Sequence, residues 1–265
     1  MLTKAGYVIF CDRERTAYFR EPVEVVCARR VEEVLPALER VDEAVAAGRY
    51  AAGFVGYEAA AGIAPELVTH PPCAQPLAWF ALYAGYDDDG DIVACADRSS
   101  GHGSSEPVMP CLRQSIPPRG AHYAVGAWKP EMTKAEYLAA VERIRAYIAA
   151  GDTYQVNFTF PMRAAFEGDA RAWFHDLCQA QRTDYAAYID TGRFQIVSVS
   201  PELFFGIDGD RIVVRPMKGT RPRGRWPEED RAMAEALASS EKDRAENVMI
   251  VDLLRNDLGR IIAAG

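Results

Sequence analysis

Ten consecutive residues, Arg215-Pro216-Met217-Lys218-Gly219-Thr220-Arg221-Pro222-Arg223-Gly224, combine a primary amine, a backbone position free to turn and several cations. Only the uncharged lysine amine attacks carbon, and both burial and like-charge repulsion from Arg215, Arg221 and Arg223 would favour that form of Lys218. The same composition also suits a solvated or phosphate-binding basic loop. A second candidate is Glu246. On a helix it shares a stripe with Met249, Ile250 and Leu253, at i, i+3, i+4 and i+7, so its carboxylate would sit on an apolar face and would need a cation or a proton. An arginine is the ordinary partner for such a group.

The elements that must position these groups are readable from local pattern. Asp210-Arg211-Ile212-Val213-Val214 predicts a short β-branched strand closed by Pro216, which leaves Lys218 at a strand end, where Gly219 lets the backbone pass close to a ligand. Strand-like runs precede it at 154–160, 185–189, 195–199 and 203–207, and a helix over 241–258 follows, carrying Glu246. Thr133-x-x-Glu136 forms a capping box; Tyr137, Val141, Ile144 and Ile148 give that helix one apolar face, and Gly151 supplies its stop. Nearer the start, Tyr7-Val8-Ile9-Phe10, 51–58 and 77–83 read as strands and 31–47 as a helix. Gly53 and Gly56 within a strand signal close packing or a bulge. Consecutive strands with few long helices between them favour antiparallel pairing and an α+β fold. The Gly-, Ser- and Pro-rich stretch 98–121 reads as a linker, which divides the chain into regions 1–112 and 113–265.

Composition sets outer bounds. A chain of 265 residues, 49% of them hydrophobic, can bury a large core, and a net charge of −8 argues against nucleic acid or an anionic membrane as the main partner. Six scattered cysteines without Cys-x-x-Cys pairs or spaced histidines predict reduced thiols and a cytoplasmic protein. No signal peptide opens the sequence, and no apolar run reaches about 18 residues.

Four stretches in order, Gly151-Asp152-Thr153-Tyr154-Gln155-Val156-Asn157, Ser200-Pro201-Glu202-Leu203-Phe204, the ten residues from Arg215, and Lys242-Asp243-Arg244-Ala245-Glu246-Asn247 running on to Asn256-Asp257-Leu258-Gly259-Arg260, resemble the chorismate-using enzymes. That family includes anthranilate, aminodeoxychorismate, isochorismate and salicylate synthases. The segment from Gly53 to Tyr86 is similar to the amino-terminal region of the aminodeoxychorismate branch, and the resemblance implies a partial β-sandwich with flanking helices and largely antiparallel sheets. Gln155 stands where the water-using members carry a general-base lysine, which implies ammonia as nucleophile. Lys218 stands where anthranilate synthases typically have alanine, and the Pro-hydrophobic-Lys-Gly-Thr form resembles aminodeoxychorismate synthase.

What the resemblance implies is a covalent route. Lys218 attacks C2 of chorismate as the 4-hydroxyl leaves, and ammonia then enters at C4 and expels the lysine. Glu202 corresponds to the general acid; beside Phe204 and Phe205, partly desolvated, such a carboxyl would keep its proton. Alternatively it is a strand-edge glutamate bonded to an arginine. Glu246 corresponds to a Mg²⁺ ligand, and Gly219, Thr220 and Gln155 to substrate-contacting positions. No cysteine lies in a nucleophile elbow, so ammonia would come from a glutamine amidotransferase subunit. Family members continue well past the Asn-Asp-Leu-Gly-Arg motif and supply a second magnesium glutamate there; the resemblance therefore implies a truncated chain that is inactive alone. Anthranilate synthase component I and a non-catalytic, amidotransferase-binding remnant are the competing expectations.

Overall fold

A computed structural model describes residues 6–12, 15–88 and 121–262. Along the chain, β1 (Tyr7–Cys11), β2 (Thr16–Phe19) and β3 (Glu24–Ala28) precede α1 (Val34–Ala46), which is followed by β4 (Tyr50–Val55), α2 (Ala60–Ile63), β5 (Ala78–Tyr83) and β6 (Asp87–Asp88). Next come β7 (Tyr123–Val125), β8 (Lys129–Pro130), α3 (Lys134–Ala150), β9 (Met162–Arg163), β10 (Phe166–Gly168) and α4 (Ala170–Gln181). The last elements are β11 (Tyr185–Asp190), β12 (Gln195–Ser200), β13 (Leu203–Asp208), β14 (Arg211–Arg215), α5 (Pro227–Ala238) and α6 (Glu241–Leu258).

Alternation of side chains across the strands builds the layers. A five-stranded antiparallel sheet of order β12-β11-β1-β2-β6 faces a three-stranded one of order β3-β5-β4. Val8 and Phe19 of the first meet Ala52, Trp79, Ala81 and Tyr83 of the second in one buried cluster, the interior of a sandwich. The alternate residues Ile9, Tyr18 and Tyr188 point the other way and bury Phe174 and Cys178 of α4. Likewise Ala28 and Ala78 turn outward from the small sheet onto Val34 and Ala37 of α1. Gly53 serves packing, as its place in a strand foretold: a Cβ there would lie 2.0 Å from the Trp79 carbonyl oxygen on the neighbouring strand. The architecture is α+β with antiparallel sheets.

The large sheet draws strands from both sides of the 98–121 stretch, because β1 pairs with β11 from Tyr7↔Asp190 to Cys11↔Ala186. The sequence boundary at 112/113 lies outside the described residues, as does all of the predicted linker except Ala121. None of the four described cysteines, Cys11, Cys27, Cys73 and Cys178, forms a disulfide. Among the described residues no helix is long and apolar enough to cross a membrane.

Three local expectations change. The run 154–160 forms no strand. A pleated segment needs a ladder partner; among the described residues this one is held by ring contacts instead, with Phe158 and Phe160 lying 5.8 and 5.9 Å from Tyr137 of α3. Helix α3 has its predicted capping box at Thr133 and Glu136 and its left-handed stop at Gly151, yet it buries no residue, and Tyr137 and Ile148 are 41% and 43% exposed. The predicted strand at 51–58 ends at Val55 and turns through a short 3₁₀ segment, Tyr57–Ala59.

Candidate functional site

The β13–β14 hairpin and the first half of α6 bring three of the four sequence motifs together. Ser200 prepares the hairpin's entry: its hydroxyl accepts the Glu202 N–H at 3.2 Å and donates to the Glu202 carbonyl at 3.1 Å. The strands then run antiparallel from Leu203↔Arg215 to Asp208↔Arg211, with Gly209 at the turn. Pro216 has no N–H and closes the ladder, so the next donor, the Met217 N–H, is free to bond a side chain. It bonds Glu202, donating to Oε1 at 3.1 Å. The residue that follows is Lys218.

Helix α6 holds the other side of the loop. Ser240 caps it, accepting the Asp243 N–H at 3.3 Å, and Asn247 one turn on donates from Nδ2 to the Lys218 carbonyl at 3.3 Å and to the Asp243 carbonyl at 3.0 Å. Gly219 sits at φ +75° with Asp243 pressed against it, so that a Cβ there would lie 3.1 Å from both Cβ and Oδ1 of Asp243. A side chain at this position would meet both the left-handed backbone penalty and a tight contact. Gly219→Ala should therefore destabilise the protein by about 1–2 kcal/mol and shift the Lys218 loop. Chemical denaturation measures this, and an unchanged midpoint would contradict it.

Lys218 and Glu246 are half-buried; Glu202 is exposed and, with Leu203, Phe204, Pro216, Ile250 and Leu254, lines an open groove of about 350 Å³. Thr220 follows Gly219 on the exposed side of the loop. Gln155 lies elsewhere in the chain, between α3 and β9, half-buried, with its carbonyl accepting the Thr153 hydroxyl at 3.1 Å. Among the hydrogen bonds of the described residues, none ties Gln155 to the hairpin or to α6.

The electrostatic setting differs from expectation in three respects. Arg223 is not an unpaired cation crowding Lys218: its guanidinium grips Asp230 of α5 with two bonds of 2.7 and 2.6 Å. That pairing, helped by the Gly224 N–H at 2.9 Å, lowers the Asp230 carboxyl to about 2. Arg225 grips Glu229 in the same manner and holds its carboxyl below the usual range. Second, Glu202 is not enclosed by its phenylalanines. Phe204 and Phe205 pack against each other at 4.9 Å and stay 82% and 48% exposed, so the expected desolvation of the carboxyl is absent from the described surroundings. Third, the apolar stripe around Glu246 is not dry. Helix α6 buries no residue and Leu253 is 42% exposed, so water reaches the stripe and relieves the cost of the carboxylate.

For a metal, Glu246 offers a hard carboxylate oxygen of the kind Mg²⁺ takes, and that ion commonly uses one or two protein carboxylates and completes its shell with water and substrate oxygens. The donor type fits. Among the described residues no three His, Cys, Asp or Glu side chains converge into a protein cage.

The sequence reading missed Asn247 and the arginine–carboxylate pairs at the start of α5. Asn247 stands next to Glu246 inside the quoted motif, and that adjacency was the one available signal. Arg225 and Glu229, four residues apart, carried a charge pattern that could have been read.

Comparison with known proteins supplies the context of these motifs. Residues 7–265 match the family model described as chorismate binding enzyme. The chain is 41% identical over 152 residues to the aminodeoxychorismate synthase component 1 of Salmonella typhimurium, a match covering 57% of this chain and 34% of that protein. It is also 41% identical over 138 residues to the anthranilate synthase component 1 of Thermus thermophilus, covering 52% of this chain and 30% of that one. The matched stretch thus spans about a third of the length of these relatives. The crystal structure of anthranilate synthase component I from Streptococcus pneumoniae superposes with a TM-score of 0.72 at 23% identity, covering 94% of this chain and 62% of that one, which shows the shared fold.

Proposed function

We propose, from the premise that the chain belongs to the chorismate-binding enzyme family, that it supplies the synthase part of an aminodeoxychorismate synthase, converting chorismate and ammonia to 4-amino-4-deoxychorismate. The observation that carries this reading is the placement of Lys218 between Glu202 and α6, with the Met217 N–H on Glu202 and the Lys218 carbonyl on Asn247. Similarity to aminodeoxychorismate synthase component 1 supports the same assignment.

In this reading the Lys218 amine forms a bond to C2 of chorismate, both conjugated ring double bonds shift, from C1=C2 to C1=C6 and from C5=C6 to C4=C5, and the C4–O bond breaks. Glu202 delivers a proton to the departing hydroxyl, which leaves as water. Ammonia then bonds C4 and gives up a proton, both double bonds shift back to C5=C6 and C1=C2, and the C2–N bond to Lys218 breaks, returning the amine. One difficult substitution becomes two easier ones. Gly219 and Thr220 would line the approach to the substrate, the glycine by close backbone contact and the threonine by its hydroxyl, and Gln155 would complete the substrate site. Glu246 would help to hold a Mg²⁺ ion, which when bound would neutralise a substrate carboxylate. A glutamine amidotransferase subunit would supply the ammonia, and the cytoplasm is the setting assumed.

Anthranilate synthase is the second reading, favoured by the similarity to the Thermus thermophilus protein. Product analysis separates the two. With chorismate, Mg²⁺ and excess ammonium, the full-length protein carrying these residues should form 4-amino-4-deoxychorismate without releasing pyruvate. Stoichiometric pyruvate with anthranilate would transfer the protein to the second reading.

A further inference from the structure

Lys218 is flanked by two fixed points. The peptide N–H before it, on Met217, is held by Glu202, and its own carbonyl is held by the Asn247 side chain, so the backbone that aims the amine is clamped on the hairpin side and on the α6 side. The Asn247 amide is itself fixed. Its nitrogen also donates to the Asp243 carbonyl at 3.0 Å, one turn back on its own helix, so the two donors of one planar group are spent in two set directions. The side chain is half-buried, and beyond it Gly219 enters a left-handed conformation against Asp243. Without the amide, the Lys218 carbonyl would bond water, and the segment between Pro216 and Gly219 could rotate.

We propose that Asn247 is a positioning residue, whose side-chain amide holds the Lys218 carbonyl and thereby sets the direction of the Lys218 amine relative to Glu202. The proposal rests on the reading of Lys218 as the nucleophile. Misplacement of a reacting group by about 1 Å can cost about a hundred-fold in rate, which sets the scale of the effect.

The test uses the full-length protein carrying these residues, with Asn247→Ala, the near-isosteric Asn247→Asp, which lacks the donor, and Asn247→Gln, which keeps it. Two quantities are measured: kcat and KM with chorismate and ammonium, and the rate at which an amine-reactive reagent labels Lys218, read by peptide mass spectrometry against Lys242. Lys242 lies exposed on the same helix and serves as internal reference. Asn247→Ala and Asn247→Asp should lower kcat about a hundred-fold with a much smaller change in KM, and should raise the Lys218:Lys242 labelling ratio several-fold. Asn247→Gln should recover part of both. Wild-type kcat and an unchanged ratio in Asn247→Asp would overturn the proposal while leaving the nucleophile reading intact. A rise in Lys218 and Lys242 labelling together would mean a loosened helix and would also overturn it. If instead Lys218→Ala kept full turnover, the nucleophile reading would fail, and the labelling ratio would still report whether the tether exists.

Discussion

Lys218→Ala should lower turnover of chorismate with ammonium by about a thousand-fold or more, the scale on which loss of a covalent nucleophile is felt. The substitution removes the amine and little else. Both hydrogen bonds that define the loop, Met217 N–H to Glu202 and Asn247 to the Lys218 carbonyl, are made by backbone atoms of the loop and survive the change. Fold and loop should therefore persist while the chemistry fails, and the residual rate should rise with ammonium concentration as direct attack at C4 takes over. A Lys218→Ala variant with wild-type turnover would place the chemistry elsewhere.

Glu202→Gln should cost about a hundred- to ten-thousand-fold in kcat, the usual worth of a positioned general acid, with KM for chorismate largely kept. Glutamine is the informative replacement because its side-chain oxygen can still accept the Met217 N–H. The tether then stays and only the transferable proton is lost. Steady-state kinetics give the answer: a large rise in KM with kcat unchanged would make Glu202 a binding group, and no change in either would reduce it to a strand-edge contact.

These expectations depend on features unequally visible in the sequence. The capping box at Thr133 and Glu136 is a local device, with its donors and acceptors a few residues apart, and it forms as read. The strands at 185–190, 195–200, 203–208 and 211–215 were legible for the same reason: β-branched and aromatic runs bounded by turn residues specify a pleated backbone. The pairing of β1 with β11 was not legible, because register between strands far apart in sequence is set by which faces the packed core covers. Residues 154–160 carry a strand's composition without a ladder partner among the described residues, and composition cannot report a partner. Glu246 shows the same limit on a helix. Periodicity identifies the face it shares with Met249 and Ile250, and it is silent on whether anything covers that face.

Within the site, the chemical groups were visible and their supports were not. Lys218 and Gly219 stood out by type and spacing and Glu202 by the family resemblance, and the structure brings their segments against α6. Asn247 did not stand out, because an asparagine inside a helix acquires a role only when another segment presents a carbonyl to it. The pairing of Arg223 with Asp230 likewise depends on how the loop after β14 folds back on the start of α5, and it removes a cation that the sequence alone places next to Lys218.

The central claim is that the Lys218 amine bonds covalently to the substrate. Incubating the full-length protein carrying these residues with chorismate and Mg²⁺ in the absence of ammonia, quenching, and mapping peptides by mass spectrometry addresses it directly. The account predicts an adduct equal to chorismate less one water on the peptide carrying Lys218, missing from Lys218→Ala and chased away when ammonium is added. An unmodified Lys218 peptide in an enzyme that goes on to form 4-amino-4-deoxychorismate once ammonium is supplied would contradict it.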